Sequence, residues 1–268
     1  MQTLTSLPSR LLLAGAFIAA ASASAQVSLT TVGQTISENF DSPAGITTTN
    51  GAYTWTDNTT LAGWFSENPS AGIQSQFPGG ISATQVLYSF RYSVADVGAG
   101  DGRAFGSRTT TAGTYAYAFG ITNNTGQTLT AADVSFVSAL WRTPANNTSD
   151  SLSVGYAITT AGVWTGLTYT SVSALSTSHS QGATGGGVNA DPNTSGLFYN
   201  KTATLSGFTW APGDTLYIRF VDGTGAGAWG IDDFVVSNFT AVPEPSAFAA
   251  LAGLGALGFV ASRRRRRA

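Results

Sequence analysis

The chain has no cysteine among its 268 residues. Disulfides, thiol chemistry and cysteine-ligated metals are therefore excluded. It has a single histidine, His179, inside a Ser-Thr-Ser-His-Ser-Gln stretch. A catalytic triad needs a histidine held against a carboxylate and a nucleophile, and a polar loop does not provide that. Charge is scarce too: Asp, Glu, Lys and Arg make up 10% of the residues, and Lys201 is the sole lysine. Between Gln26 and Ala241 the glutamates are Glu38 and Glu67 alone, and no paired motif marks the aspartates for two-carboxylate glycoside hydrolysis. That stretch keeps six cations and thirteen acids, a net charge near −7. No basic face is available for nucleic acid or an anionic membrane. No long apolar run with a 3.6-residue period occurs there, which argues against helices.

The two ends differ from the body. Arg10 precedes the apolar core Leu11–Ala20, and small residues follow, ending in Ala23-Ser24-Ala25. A basic start, a short apolar core and an A-x-A site predict a secretory leader over 1–25, cut between Ala25 and Gln26. At the other end, Val242-Pro243-Glu244-Pro245 leads into an apolar run from Ala247 to Ala261. Arg263, Arg264, Arg265, Arg266 and Arg267 follow. Fifteen apolar residues are short for a bilayer span. The arginine block nevertheless acts as a membrane stop, because five cations are costly to translocate. Pro243 and Pro245 keep the preceding segment extended.

Motif, apolar helix, arginine cluster and position together resemble the PEP-CTERM sorting signal of exported Gram-negative proteins. The resemblance implies an exosortase-type processing enzyme as partner and Pro243, Glu244 and Pro245 as the recognised element. It also implies transient anchoring in the inner membrane, then delivery to the cell surface or to extracellular polysaccharide. The expected organisation is a leader (1–25), one body domain (26–241) and a sorting and anchor segment (242–268).

Within the body, Leu152, Val154, Tyr156 and Ile158 alternate with small or polar residues. Tyr115, Tyr117, Phe119 and Ile121 do the same, as do Leu216, Ile218 and Phe220, and Val134, Phe136, Ser138 and Leu140. Period-two alternation marks half-buried strands. Further strands are expected at Thr84–Tyr92, Leu167–Leu175, Lys201–Phe208 and Trp229–Phe239. Turns are expected at Asn123–Gly126, Pro144–Asn147, Ala211–Asp214 and Asp222-Gly223. The pattern predicts an all-β, antiparallel two-sheet sandwich of jelly-roll or lectin-like type, with terminal helices at the leader and the anchor. Ser176–Ser195 reads as a long flexible loop.

The body also resembles bacterial exported β-sandwich domains in its ordered short motifs. These are Glu38–Asp41, Leu61–Phe65, Arg103–Ser107, Asn123–Gly126, Trp141-Arg142, Ala211–Asp214 and Gly230–Phe234. Related sequences commonly carry a Gly/Asp/His element where this chain has Gly225–Trp229, which weakens any ligand role there. Three groups are the candidate site residues. Asp222, Asp232 and Asp233 could supply calcium oxygens if antiparallel pairing joined their strands; the competing reading is a plain turn with loop-amide capping. Trp64, Trp141 and Trp229 could stack on sugar, or fill the core. Arg103, Arg142, Asp150 and Arg219 read as a partly buried ion-pair network, or as a sugar-binding cleft. No catalytic residue is identified. The expected function is a non-catalytic surface or matrix protein, with a carbohydrate-binding module and a diverged polysaccharide hydrolase as alternatives.

Overall fold

The computed structural model describes residues 27–41, 43, 45–46, 50–76, 80–91, 102–190, 192, 197–243 and 253–254. Outside them lie the leader with Ala23, Ala25 and Gln26, most of the apolar run, Glu244, Pro245 and Arg263–Arg267. Among the described residues no helix is long and apolar enough to cross a membrane.

Two sheets face each other. The first contains β1 (Val27–Leu29), β4 (Trp64–Ser66), β8 (Tyr115–Asn123), β10 (Ser149–Thr159), β11 (Thr170–Ser171), β12 (Thr177–Ser180) and β14 (Thr215–Asp222). Its path runs β1-β8-β14-β10-β11, with β4 on β8 and β12 on β10. The second contains β2 (Ile36–Glu38), β3 (Gly51–Tyr53), β5 (Ile73–Gln76), β6 (Val86–Arg91), β7 (Arg103–Arg108), β9 (Leu129–Arg142), β13 (Phe198–Trp210) and β15 (Ala228–Ala241). Its path is β13-β9-β15-β7-β6-β5-β3, with β2 on β15. The all-β sandwich is thus as expected. Two pairs depart from antiparallel pairing: β1 with β8 and β5 with β6 are parallel.

Alternation builds the core. On β14, Leu216, Ile218 and Phe220 are buried between the sheets, and on β8 Tyr115, Tyr117, Phe119 and Ile121 meet them. Trp64 is fully buried among Phe40, Phe105, Tyr117, Phe119, Phe220 and Phe234, with ring centroids 5.0–6.4 Å away. Two strand expectations shrink or grow. Leu167–Leu175 yields only β11 and a 3-10 turn at Ser173–Leu175, while Lys201–Phe208 lengthens to β13. The stretch expected as a loop from Ser176 instead begins with β12, which places His179 opposite Asp150 on β10.

A smaller core lies on the outer face of the second sheet. There β7 and β15 present Ala104, Gly106, Ala228 and Gly230, leaving a shallow floor. Tyr88 and Phe90 stack at 4.9 Å, and Phe90 and Trp141 at 5.0 Å, all three rings fully buried. They meet above Gly230, where a Cβ would lie 2.9 Å from both Phe90 Cδ2 and Trp141 Nε1. Trp141 is therefore held by small neighbours on other strands, a constraint its own segment does not reveal.

This geometry makes Gly230→Ala a sensitive probe. Overpacking a filled site costs about 1–3 kcal/mol, and urea unfolding is expected to show a loss in that range. Gly33→Ala is the control: a Cβ there meets nothing within 4 Å, and its unfolding midpoint should stay close to that of the parent.

Candidate functional site

The three aspartates expected to share calcium are not brought together. Asp222 ends β14 in the first sheet, whereas Asp232 and Asp233 lie on β15 in the second. The antiparallel pairing that would have joined them does not occur, because β15 runs between β9 and β7. Among the described residues no group of three or more His, Asp or Glu side chains could hold a metal ion.

Asp222 belongs instead to a buried polar cluster with Asp150. It is fully buried, and its Oδ2 accepts a hydrogen bond of 2.8 Å from Ser107 Oγ of the facing sheet. Its Oδ1 has no hydrogen-bond partner, and neither does the buried Tyr117 hydroxyl. Asp150 is also buried, but amides surround it. Ser151 N–H donates to its Oδ1 at 2.7 Å and Gly227 N–H to its Oδ2 at 2.7 Å. The amides of Gly225 and Gly223 also stabilise its charge. The loop 223–227 wraps it so closely that a Cβ at Gly223 would sit 2.8 Å from Asp150 Oδ1, and one at Gly227 2.5 Å from Oδ2. Successive backbone N–H groups form a concavity that favours an anion. The loop's anion is the protein's own carboxylate.

These surroundings divide the two acids. Burial pushes Asp150 up, but four amides oppose the shift. Burial pushes Asp222 well above the ordinary carboxylate range, and the neighbouring Asp150 charge raises it further. Burial thus favours the protonated form at Asp222, while the amides favour the charged form at Asp150. Amide dipoles already satisfy the Asp150 charge, so a cation would compete with donors aimed at the same oxygens. The sequence signal for this cluster was glycine at every second position after Asp222.

Asp233 faces elsewhere. A register shift between Asp232 and Val235 puts an extra residue into β15, and Asp233 takes a left-handed φ of 49°. The bulge turns its side chain outward. It lines a pocket of about 380 Å³ with Ser37, Glu38, Asn39, Phe234 and Val235. It also lines a second pocket of about 310 Å³ that includes Asn200 and Lys201. Burial raises Glu38, although the Phe40 N–H, which donates to its Oε1 at 2.8 Å, pulls it back.

The expected sugar-contacting indoles are not presented to solvent. Trp64 and Trp229 fill the inter-sheet core, Trp141 lies in the outer-face stack, and each is 0% exposed. The expected ion-pair network is likewise dispersed. Arg103 Nη1 donates to Ser89 Oγ at 2.7 Å, Arg142 Nη1 to Asn189 Oδ1 at 2.9 Å, and Asp150 takes backbone amides. Arg219 lies over the Tyr169 ring, 5.1 Å from its centroid.

That last contact belongs to a half-exposed patch that sequence reasoning missed. On the outer face of the first sheet, Ala116 and Ala118 form a floor for Tyr217 and Trp164. The half-buried Phe65, Tyr169 and Arg219 surround it, with Glu67 exposed beside them. Arg219 lowers both the Tyr169 hydroxyl and the Glu67 carboxyl, but burial prevails, holding the former at about 12 and the latter above its usual range. Phe65 lies in the three-residue strand β4, and Trp164 and Tyr169 lie in the segment between β10 and β11, too short or irregular for a pattern to mark a shared face.

Residues 241–266 match the PEP-CTERM protein-sorting motif, which implies an exported protein processed at a membrane. No curated protein matches the chain. Among solved structures, the CBM22-1 xylan-binding domain of Paenibacillus barcinonensis Xyn10C is similar at 11% identity. The match covers 80% of this chain and 100% of that one, with a TM-score of 0.38. CBM35 from Cellvibrio japonicus Abf62 is similar at 14% identity, over 54% of this chain and 79% of that one, with a TM-score of 0.25. The CBM22-1–GH10 modules of Clostridium thermocellum Xyn10B, solved with xylohexaose, are similar at 9% identity. They match over 74% of this chain and 28% of that one, with a TM-score of 0.31. These likenesses reach no particular residue.

The buried acid pair sets a pH dependence. Unfolded, Asp222 loses its proton near the ordinary carboxylate pKa; folded, it keeps the proton to higher pH. The folded state thus binds more protons across that window, and stability falls as pH rises through it. Asp222→Asn removes the proton and should flatten the profile. Its stability relative to the parent is expected to grow by up to ~1.4 kcal/mol per pH unit within the window, measured by urea unfolding from pH 4 to 8.

Proposed function

We propose that this chain is an exported, non-catalytic β-sandwich protein that works at the cell surface or in the extracellular matrix after an exosortase-type enzyme processes its C-terminal signal. The sorting motif at 241–266 carries the reading. The local geometry supports it. β15 ends at Ala241, Val242 N–H donates to Thr128 O at 2.9 Å, and Pro243 is exposed. The recognised element therefore begins where the last strand ends, and a cut there leaves the sheet intact. The non-catalytic part rests on His179 lying on an edge strand and on the buried carboxylates being engaged internally.

A second reading is a carbohydrate-binding module for extracellular polysaccharide, favoured by the Phe65–Tyr169–Arg219–Glu67 patch. An aromatic face, a fork of guanidinium donors and a carboxylate acceptor are the groups that recognise sugar rings and hydroxyls. Of the three aspartates expected to bind calcium, Asp233 lines a pocket with the Glu38 carboxylate, and calcium is a proposal there. Two carboxylates supply fewer than the 6–8 oxygens calcium takes, so carbonyls or water would complete the shell.

Two measurements test these readings. In a host carrying an exosortase, the intact chain should reach the surface shortened near Val242–Pro245. A chain with Pro243, Glu244 and Pro245 all replaced by Ala should stay full-length in the membrane fraction. Equal processing of both would remove the first reading. For the second, glycan-array binding should weaken at least about tenfold, ~1.4 kcal/mol, in Tyr169→Ala. Binding unchanged by that substitution, or turnover of any polysaccharide, would count against a binding module at this patch.

A further inference from the structure

The inner face of β6 and β7 holds two arginines directly across from each other. Arg91 and Arg103 are register partners, 4% and 6% exposed. Like charges directly opposite on paired strands are destabilising. Burial lowers the Arg103 pKa, and the Arg91 charge lowers it further. Arg103 donates to Ser75 Oγ at 3.3 Å and Ser89 Oγ at 2.7 Å, with the Asp41 charge nearby. Arg91 has a neutral acceptor: its Nη2 donates to the side-chain carbonyl Oδ1 of Asn50. Its Nε is buried with no hydrogen-bond partner.

Asn50 is exposed and precedes Gly51, the first residue of β3. Asn50-Gly51 is the one Asn-Gly pair in the sequence. Glycine has no Cβ to block approach of its own backbone nitrogen to the preceding side chain, and its backbone is conformationally permissive. The Arg91 guanidinium on Oδ1 polarises the amide carbonyl and would stabilise negative charge developing on that oxygen.

We propose that Asn50 is a site of spontaneous deamidation that supplies the buried Arg91 with a carboxylate. The Gly51 nitrogen attacks Asn50 Cγ. A C–N bond forms, the amide C–N bond breaks, and ammonia leaves with the proton from the attacking nitrogen. The cyclic imide then takes up one water. Opening at the bond between Cγ and the ring nitrogen restores the normal backbone and leaves aspartate at position 50; opening at the other carbonyl gives isoaspartate. The balance is one water consumed and one ammonia released, with no oxidant or reductant. Aspartate exchanges a neutral acceptor of Arg91 for a charged one, and such hydrogen bonds are shorter and about twice as strong. Deamidation here therefore improves the local electrostatics.

The test ages the purified full chain at pH 8 and 37 °C for days and follows it by peptide mass spectrometry. The amide-to-acid mass gain is expected to accumulate at Asn50 ahead of every other asparagine, with Asn50→Gln unchanged over the same period. Separately, Asn50→Asp should melt a few degrees above the parent, and Arg91→Met should abolish that gain. No mass gain at Asn50 in the folded chain, while the urea-unfolded chain deamidates there, would overturn the proposal. An Asn50→Asp protein less stable than the parent, or a gain that survives Arg91→Met, would overturn it equally.

Discussion

The inter-sheet aromatic cluster around Trp64 is the contact on which the rest of the sandwich depends. A chain with no disulfide and few charges must rely on apolar burial, and large rings bury the most surface per residue. Trp64 enters from β4, a strand of only three residues, yet its indole touches rings from both sheets and from the N-terminal segment. Phe40 reaches that cluster with a left-handed φ of 57°, and the bond from its N–H to Glu38 Oε1 holds the unusual backbone in place. Short peripheral segments are thus tied to the long central strands by rings as well as by short ladders. The arrangement has a cost: the indole nitrogens of Trp64 and Trp229 are buried without hydrogen-bond partners.

Small residues decide where large ones can lie. On the outer face of the second sheet, Ala104, Ala228 and Gly230 let Phe90 and Trp141 meet across two intervening strands. On the outer face of the first sheet, Ala116 and Ala118 do the same for Trp164 and Tyr217. Large inward residues alternating with small outward ones serve two cores at once, because each outward floor receives rings from other strands and, on the first sheet, Trp164 from the segment after β10. That is why the outer faces of this sandwich are only partly open, and why the half-exposed patch around Tyr169 is confined to the edge of such a floor.

What was legible in the sequence follows from the range of each interaction. The strands β8, β10 and β14 were visible in their alternation, since side-chain direction along a strand is a local property. The sandwich class followed from many such strands without helices. The exposure of Trp141 was not legible, because it depends on Gly230 and Phe90, far away in the chain. The partner of Asp222 was not legible either: Ser107 lies 115 residues away and belongs to the other sheet. Asp150 looked like half of an ion pair because buried charges are commonly paired. Backbone amides fill that role here, and amides carry no residue-specific signal beyond the alternate glycines that let them approach. β12 was hidden in a Ser/Thr/Gly-rich composition that reads as loop, and its pairing with β10 overrides that local preference.

The two internal acid arrangements and the sorting tail bear on one question, how a sparsely charged domain manages the charges it keeps. Asp150 is met by amide dipoles from a glycine loop, and burial favours the protonated form of Asp222. Both solutions are internal and need no counterion from the surroundings. The arginines are treated differently: Arg219 spreads over an aromatic face at the surface, and Arg91 leans on an amide at an exposed edge. Two of the body's acids are thus satisfied inside the fold, whereas Glu67 and Asp233 stay exposed and Arg91 keeps only 4% of its surface open.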